Sequence, residues 1–130
     1  MSPSLWHKQS LPVQVINPIE ALAVKLREFA AERHWEPYHS PKNLAAALSV
    51  EAAELLEHFQ WLTEDESRSL PSEKREAVAQ EAADVLLYLV QLTDKLSIDL
   101  IAAAEGKLEL NRQKYPVDAS RGNSRKYTEL

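Results

Sequence analysis

Two long stretches of helical periodicity constrain the fold of this 130-residue chain more than any other feature. Apolar residues recur with the helical period in 41–61 and again in 72–95, and a proline-containing segment precedes each stretch. The chain holds only two glycines, whereas a sheet protein with many tight turns would use more of them. The sequence therefore predicts an all-α fold.

Capping signals extend this pattern to four helices. The segment NPIE at 17–20 combines a capping asparagine with a proline suited to the first helical turn. Ser40 and Ser97 mark two further helix starts. We predict a four-helix bundle-like arrangement with short links, whose helices span about 18–33, 41–61, 72–95 and 98–115.

The remaining segments show no helical period. We predict a flexible N-terminal arm at 1–16, one helical catalytic domain at 17–116 and a C-terminal tail at 117–130. Within the domain, the polar and proline-punctuated segment 62–72 is predicted to be a loop.

Charge and composition exclude several classes of function. The net charge is −5 and no Lys/Arg-rich patch stands out, so duplex nucleic acid is a poor candidate partner. The absence of cysteine excludes disulfides and thiolate chemistry, which suits the cytoplasm. The first residues do not resemble a signal peptide, and the longest apolar run, VLLYLV, is too short to span a bilayer, so we expect no membrane association.

Acidic residues interrupt the apolar faces of both long helices. On a helical wheel, Glu51 falls inside the apolar stripe of the second helix, and Glu54 lies beside it at i+3. Glu81 and Asp84 repeat this arrangement on the third helix. Burying an unpaired carboxylate is costly, so these four residues are candidates for chemistry rather than packing.

Four carboxylates that converge in a helical bundle repel one another unless they bind cations or take up protons. Oxygen ligands on rigid helices suit Mg²⁺, with Mn²⁺ as a substitute. A single acidic pair at this spacing is more often a solvated helix face, and that reading stays open for each pair alone. A di-iron carboxylate bundle is disfavoured because it uses Glu-x-x-His on helices, and here that spacing occurs only at 36–39, in a proline-broken loop.

The two acidic motifs, EAAE at 51–54 and EAAD at 81–84, resemble those of MazG-type all-α nucleoside triphosphate pyrophosphatases, and most closely the branch that acts on dCTP. Further stretches that carry the resemblance are EFAAERHWEPYHSPKNLAAAL, HFQW, DVLLYLV, NRQKYP and SRKYTEL. The resemblance covers the chain from about residue 20 to its end. One departure is Leu26, at a place near the base where some relatives carry a polar residue.

The resemblance implies hydrolysis between the α and β phosphates of a nucleoside triphosphate. It also implies that Mg²⁺ is held by the catalytic residues Glu51, Glu54, Glu81 and Asp84. One of these acids, for instance Glu54, could instead act as a general base.

The resemblance also implies a set of substrate-binding residues. Trp35 and Trp61 match positions that sandwich the base, and His39 matches a position near it. The alternative for the tryptophans is packing at the ends of the bundle. The other matching positions are Tyr88, Lys107, Asn111 and Tyr115. The alternative for Lys107 is a solvated helix face.

The helix at 72–95 is apolar on more than one side, which is typical of a subunit interface. The resemblance implies a homo-oligomer, and within this branch a tetramer with sites at subunit interfaces. We expect an enzyme that hydrolyses dCTP, and modified dCTP analogues, in nucleotide-pool sanitation. The alternatives are the same chemistry on other (d)NTPs such as dUTP, and a non-catalytic helical oligomerisation module.

Overall fold

The computed structural model describes residues 16–129, and within that range the chain forms helices and turns without a β-strand. The all-α fold class is thereby confirmed. In chain order the helices are α1 (Pro18–Glu32), α2 (Pro41–Glu57), α3 (Glu64–Arg68), α4 (Ser72–Lys95), α5 (Leu100–Lys114) and α6 (Val117–Ser120), with short 3₁₀ turns at Glu36–Tyr38 and Tyr127–Glu129.

Side-chain caps fix the starts of three long helices. Asn17 accepts a hydrogen bond from the backbone N–H of Glu20 at 2.9 Å, and Ser40 caps α2 in the same way. Each cap satisfies a backbone donor that a helix start would otherwise leave unpaired. The predicted starts at residues 18 and 41 are confirmed.

The second helix is shorter than predicted, because it ends at Glu57 rather than at residue 61. Past this point the backbone tightens into turns: the N–H of His58 bonds to Leu55 at 3.3 Å, and that of Phe59 bonds to Leu56 at 2.9 Å. Trp61 therefore lies in a turn beyond the helix. The prediction of helix over 58–61 was wrong.

The predicted loop at 62–72 contains the short helix α3. Thr63 accepts from the N–H of Glu66 at 3.1 Å, and the Glu66 carboxylate accepts from the N–H of Thr63 at 2.9 Å. This reciprocal capping box stabilises a helix of five residues in a segment without apolar periodicity.

Ser97 does not cap α5, contrary to the prediction. It adopts a left-handed backbone with φ of 54°, directly after the end of α4. Asp99 supplies the cap instead and accepts from the N–H of Ala102 at 3.0 Å. As a result, α5 begins at Leu100 rather than at residue 98.

Two terminal segments were predicted outside the helical domain, the arm at 1–16 and the tail at 117–130. The predicted arm at 1–16 lies outside the described residues apart from Ile16. The tail contains α6 and the last 3₁₀ turn, neither of which its sequence pattern indicated.

Helix α4 is the centre of the fold. It packs along α2 and, over a shorter stretch, against α1. The two largest fully buried side chains are Leu44 on α2 and Val90 on α4. Arg27 and Asp94 join α1 to α4 through an ion pair of 3.0 Å. These three helices form the core that positions the candidate site.

Helix α5 makes only marginal contact with the other helices. It has no buried residue between Leu100 and Lys114, and Leu108 is 53% exposed. Gly106 lies in its middle, where an added Cβ would meet no heavy atom within 4 Å. No helix in residues 16–129 combines the length and hydropathy that a bilayer crossing requires.

Candidate functional site

Three of the four predicted acidic residues meet between α2 and α4. Glu51, Glu81 and Asp84 each offer one carboxylate oxygen, and these oxygens all lie within 4.8 Å of one another. Glu81 and Asp84 share a face of α4 because they are three residues apart. Packing of α2 along α4 then brings Glu51 to that face. We call these three residues the carboxylate cluster.

Two oxygens of the carboxylate cluster are buried without a hydrogen-bond partner. They are the Oε2 atoms of Glu51 and Glu81. A buried carboxylate oxygen that accepts no hydrogen bond loses the solvation it has in water. The cluster therefore needs a positively charged or proton-bearing group between its oxygens.

Repulsion within the cluster changes the acidity of Glu51. The adjacent Glu81 carboxyl, partial burial and the neighbouring Glu54 raise the pKa of the Glu51 carboxyl from 4.5 to about 7. A proton shared by two carboxyl groups relieves the same repulsion that a bound cation would relieve. The raised pKa of Glu51 follows from the crowding of negative charge in the cluster.

Glu54 lies next to the cluster but is not one of the three residues whose oxygens converge. It is half-buried and contributes to the raised pKa of Glu51. Glu54 therefore adds negative charge beside the cluster.

The donor set fits a hard divalent cation. All three convergent donors are carboxylate oxygens, which Mg²⁺ and Mn²⁺ prefer over the nitrogen and sulfur donors typical of zinc sites. Mg²⁺ lies at about 2.0–2.1 Å from its oxygen ligands, so ligands of one ion are separated by roughly 3–4 Å. Small side-chain adjustments would bring oxygens within 4.8 Å of one another to that spacing.

A pocket of about 360 Å³ adjoins the carboxylate cluster between α1, the following 3₁₀ turn and α4. Asp84 belongs to both the cluster and the pocket wall. The other lining residues are Leu22, Lys25, Leu26, Phe29, Trp35, His39, Leu87, Tyr88 and Gln91. An apolar, aromatic pocket beside a cation site can hold a planar ring together with an attached anionic group.

Aromatic contacts hold one wall of this pocket. Trp35 meets the Phe29 ring edge-on at 5.6 Å between centroids, and His39 meets Trp35 at 6.2 Å. The guanidinium of Arg33 covers the Phe29 ring at 3.7 Å from its centroid. Such cation–π and edge-to-face contacts fix the orientation of Trp35.

Comparison with known proteins assigns the family. The sequence profile of the MazG-like family matches residues 46–130, which include both acidic motifs. The chain belongs to the MazG-like family.

Proteins similar to this MazG-like chain include dCTP pyrophosphatase 1 of Mus musculus, 48% identical over 105 residues, and dCTP pyrophosphatase 1 of Homo sapiens, 47% identical over 105 residues. Each alignment covers 79% of this chain and 62% of the relative. The chain thus matches less than two thirds of the length of these curated relatives.

A solved structure is also similar to this chain. It is a pyrophosphatase from Archaeoglobus fulgidus with a TM-score of 0.74 and 43% sequence identity. The match covers 82% of this chain and 99% of that protein. The MazG-like fold therefore extends over most of the chain.

Three predicted substrate-binding residues line the pocket of this MazG-like chain: Trp35, His39 and Tyr88. Sequence reasoning missed Lys25 and Gln91, which line it as well. The sequence predicted that both residues lie on helices. It did not predict how α1 crosses α4, because the periodicity of one helix does not determine its packing against another.

The other four predicted substrate-binding residues do not reach this pocket within one chain. Trp61 is 87% exposed in the turn after α2. Lys107 and Asn111 lie on α5, and Tyr115 follows its end, where it meets Tyr127 at 6.2 Å between ring centroids. None of these side chains lines the pocket at Asp84.

Proposed function

We propose that this protein is a Mg²⁺-dependent nucleoside triphosphate pyrophosphatase that hydrolyses dCTP and modified dCTP analogues in cytoplasmic nucleotide-pool sanitation. One observation carries the proposal. Two buried carboxylate oxygens without partners lie beside an aromatic pocket, and Asp84 belongs to both. This arrangement has a place for a cation next to a place for a base.

Similarity to relatives supports the choice of substrate. The mouse and human proteins that align with 79% of this chain carry the name dCTP pyrophosphatase 1. Both EAAE and EAAD lie within the part of the chain that matches the MazG-like family.

The proposed reaction breaks the bond between the α phosphorus and the oxygen that bridges to the β phosphorus. A water molecule supplies the new oxygen on the α phosphorus, and the products are dCMP and pyrophosphate. We propose that Glu51, Glu81 and Asp84 hold the cation, with Glu54 as a further ligand or as the general base. When bound, Mg²⁺ would supply positive charge that offsets the phosphate oxygens and lowers the pKa of the attacking water.

Other residues of this chain have proposed roles in proton transfer and in binding the base. Glu54 influences Glu51 but lies outside the three converging oxygens, which supports a role for its carboxylate in accepting a proton from water. Trp35, His39 and Tyr88 provide aromatic surfaces on which a base can stack. We propose that the phosphates lie at the Asp84 end of the pocket, next to the carboxylate cluster.

We further propose that a homo-oligomer, a tetramer by the family resemblance, completes the site. Lys107, Asn111 and Tyr115 lie on or next to helix α5, which makes only marginal contact with the other helices of residues 16–129. A second copy of the chain could bring these donors, and the exposed Trp61, to the pocket of the first. The apolar exposure of α5 supports this arrangement.

Pyrophosphate release from a panel of nucleoside triphosphates with Mg²⁺ tests the proposal. Wild-type protein should hydrolyse dCTP faster than dUTP or dTTP. Glu81→Gln and Asp84→Asn should each lower turnover by roughly a hundredfold or more, because each removes a charged ligand. Glu76→Gln is the matched control, since Glu76 is an exposed glutamate on the same helix.

Two results would contradict the proposal. If the wild-type protein releases no pyrophosphate from any triphosphate, the proposed enzymatic function is wrong. A non-catalytic helical oligomerisation module then becomes the favoured interpretation. If dCTP and dTTP react at equal rates, the pyrophosphatase chemistry survives but the base assignment fails.

A further inference from the structure

Gln91 is a polar residue of the pocket for which the proposed chemistry has no role. It is half-buried on α4, seven residues after Asp84. Seven residues of α-helix advance about 10 Å along the axis. Gln91 thus lies well away from the phosphate end of the pocket, on the same helix face that carries Asp84 and Tyr88 toward it.

The amide of Gln91 is held in one orientation. Its Nε2 donates a hydrogen bond to the backbone carbonyl of Leu87 at 3.1 Å. Rotating the amide by half a turn would set its oxygen against that carbonyl oxygen, which places two acceptors face to face. The Nε2 end therefore points back along α4, and Oε1 is the end available to a ligand.

Oε1 of Gln91 has no hydrogen-bond donor among residues 16–129. Gln91 shares the pocket wall with the apolar side chains of Leu22, Leu26 and Leu87. Oε1 is not among the buried atoms that lack a partner, so a ligand that donates a hydrogen bond to it would take the place of water.

We propose that Gln91 selects the base, with Oε1 accepting a hydrogen bond from the exocyclic amino group of cytosine. The inference rests on the proposed function and adds the residue that distinguishes cytosine from uracil and thymine. Cytosine carries an amino donor at C4, where uracil and thymine carry an oxygen acceptor. The wrong base would bring two acceptors together and leave both without a donor.

Stacking alone does not give this discrimination. The aromatic surfaces of Trp35, His39 and Tyr88 accept any pyrimidine ring, because every base has a π-face. A site built around a hydrogen bond rejects a ligand that cannot make it, since the polar group of the protein is then left unpaired. Gln91 adds this polar requirement to an otherwise tolerant pocket.

Two substitutions test whether Gln91 recognises the base or has only a structural role. Gln91→Met keeps the length of the side chain and removes the acceptor, so kcat/KM for dCTP should fall about tenfold while kcat/KM for dUTP changes by less than about threefold. Gln91→Glu keeps an acceptor but loses the donor to Leu87, so the preference for dCTP over dUTP should survive. Gln80→Met is the matched control, because Gln80 is exposed on the same helix and lies outside the pocket.

A substrate analogue tests the same contact in the unmodified protein. The deoxyriboside triphosphate of 2-pyrimidinone lacks the amino group at C4, so the wild-type protein should hydrolyse it about tenfold less efficiently than dCTP. Gln91→Met should treat the two substrates alike. This comparison needs no assumption about how well the variants fold.

The outcomes distinguish the inference from the function it rests on. If the wild-type protein hydrolyses no triphosphate, the proposed function fails. If it hydrolyses dCTP but Gln91→Met leaves the dCTP-to-dUTP ratio unchanged, or lowers both rates equally, the assignment of Gln91 is overturned and the function stands. Equal hydrolysis of dCTP and the 2-pyrimidinone analogue by wild type would also overturn it.

Discussion

Helices α2 and α5 have similar lengths, 17 and 15 residues, but contrasting environments. Helix α2 packs along α4 and buries Leu44 to 1% exposure, whereas α5 exposes Ile101, Leu108 and Leu110. Both helices begin with a side-chain cap, at Ser40 and at Asp99. Local signals therefore start both helices, and within residues 16–129 only α2 packs its apolar face extensively against another helix.

This difference divides the candidate site into two parts. One chain suffices to bring Glu51 to Glu81 and Asp84, because the α2–α4 pair is complete by itself. The predicted ligands on α5, Lys107 and Asn111, have no such support. We expect the metal-binding part to persist in a single chain and the part that includes α5 to require assembly.

The largest expected effect is at the core of the α2–α4 pair. Leu44→Ala should lower the free energy of unfolding by about 2–5 kcal/mol, because it leaves a cavity at a fully buried position. Urea unfolding measures the change. Leu56→Ala, at a position 60% exposed on the same helix, is the control and should change it little. If Leu108→Ala costs as much as Leu44→Ala, the contrast between α2 and α5 is wrong.

The next effect concerns assembly through α5. Ile101 and Leu108 lie on one helix face, since they are seven residues apart. The double substitution Ile101→Glu with Leu108→Glu should weaken self-association by about a hundredfold or more, because charge would be buried without a partner. Sedimentation velocity checks the size of the particle, with Ala103→Glu, on the opposite face of the same helix, as the control. An unchanged sedimentation coefficient would place the subunit interface elsewhere.

The carboxylate cluster should make metal-free protein less stable as pH rises. The pKa of Glu51 is raised from 4.5 to about 7 in the folded chain, so its contribution to stability is fully present below pH 4.5 and is lost as pH rises through 7. Thermal melts in EDTA measure this loss. Above pH 7, Mg²⁺ should raise the melting temperature more than at low pH, where a proton competes with it.

Two variants make this pH dependence specific to the cluster. Glu51→Gln should flatten the decline in melting temperature, because the titrating group is gone. Glu57→Gln should leave it intact, since Glu57 is exposed on the same helix. Identical profiles for wild type and Glu51→Gln would show that the cluster does not govern stability in this range.

The smallest effects are those of the helix caps. Ser40→Ala and Asp99→Ala each remove a side-chain acceptor, at a cost of about 1 kcal/mol to the helix concerned. Because α2 belongs to the core, Ser40→Ala should lower global stability. Asp99→Ala should instead speed amide hydrogen exchange in the first turn of α5. If both variants lower the global unfolding energy equally, α5 unfolds together with the core.

The sequence predicted features that depend on local chemistry. Asn17 and Ser40 cap helices as their residue types indicate, and the i, i+3 spacing of Glu81 and Asp84 places both on one face of α4. The capping box of α3 was also readable, but the segment around Thr63 and Glu66 was predicted to be a loop because it lacks apolar periodicity. Here the local hydrogen bonds outweigh the missing pattern.

Features that depend on packing were not predictable in the same way. The end of α2 carries no glycine or proline at Glu57, so the periodic Phe59 and Trp61 extended the predicted helix. The pocket wall at Lys25 and Gln91 arises from the way α1 crosses α4, which neither helix encodes alone. Sequence reasoning thus found the acids and the aromatic residues, and only the packed structure located Lys25 and Gln91 in the pocket wall.

Gly106 gives the middle of α5 a flexibility that the neighbouring residues do not provide. A glycine inside a helix lowers its stability by roughly 0.5–1 kcal/mol relative to alanine, and no heavy atom of residues 16–129 lies within 4 Å of where a Cβ would stand. Bending at Gly106 should therefore cost little. The second half of α5, with Lys107 and Asn111, could then tilt about Gly106 while Asp99 caps the first turn. In the proposed homo-oligomer, this tilt would let those side chains approach a neighbouring subunit over a range of angles.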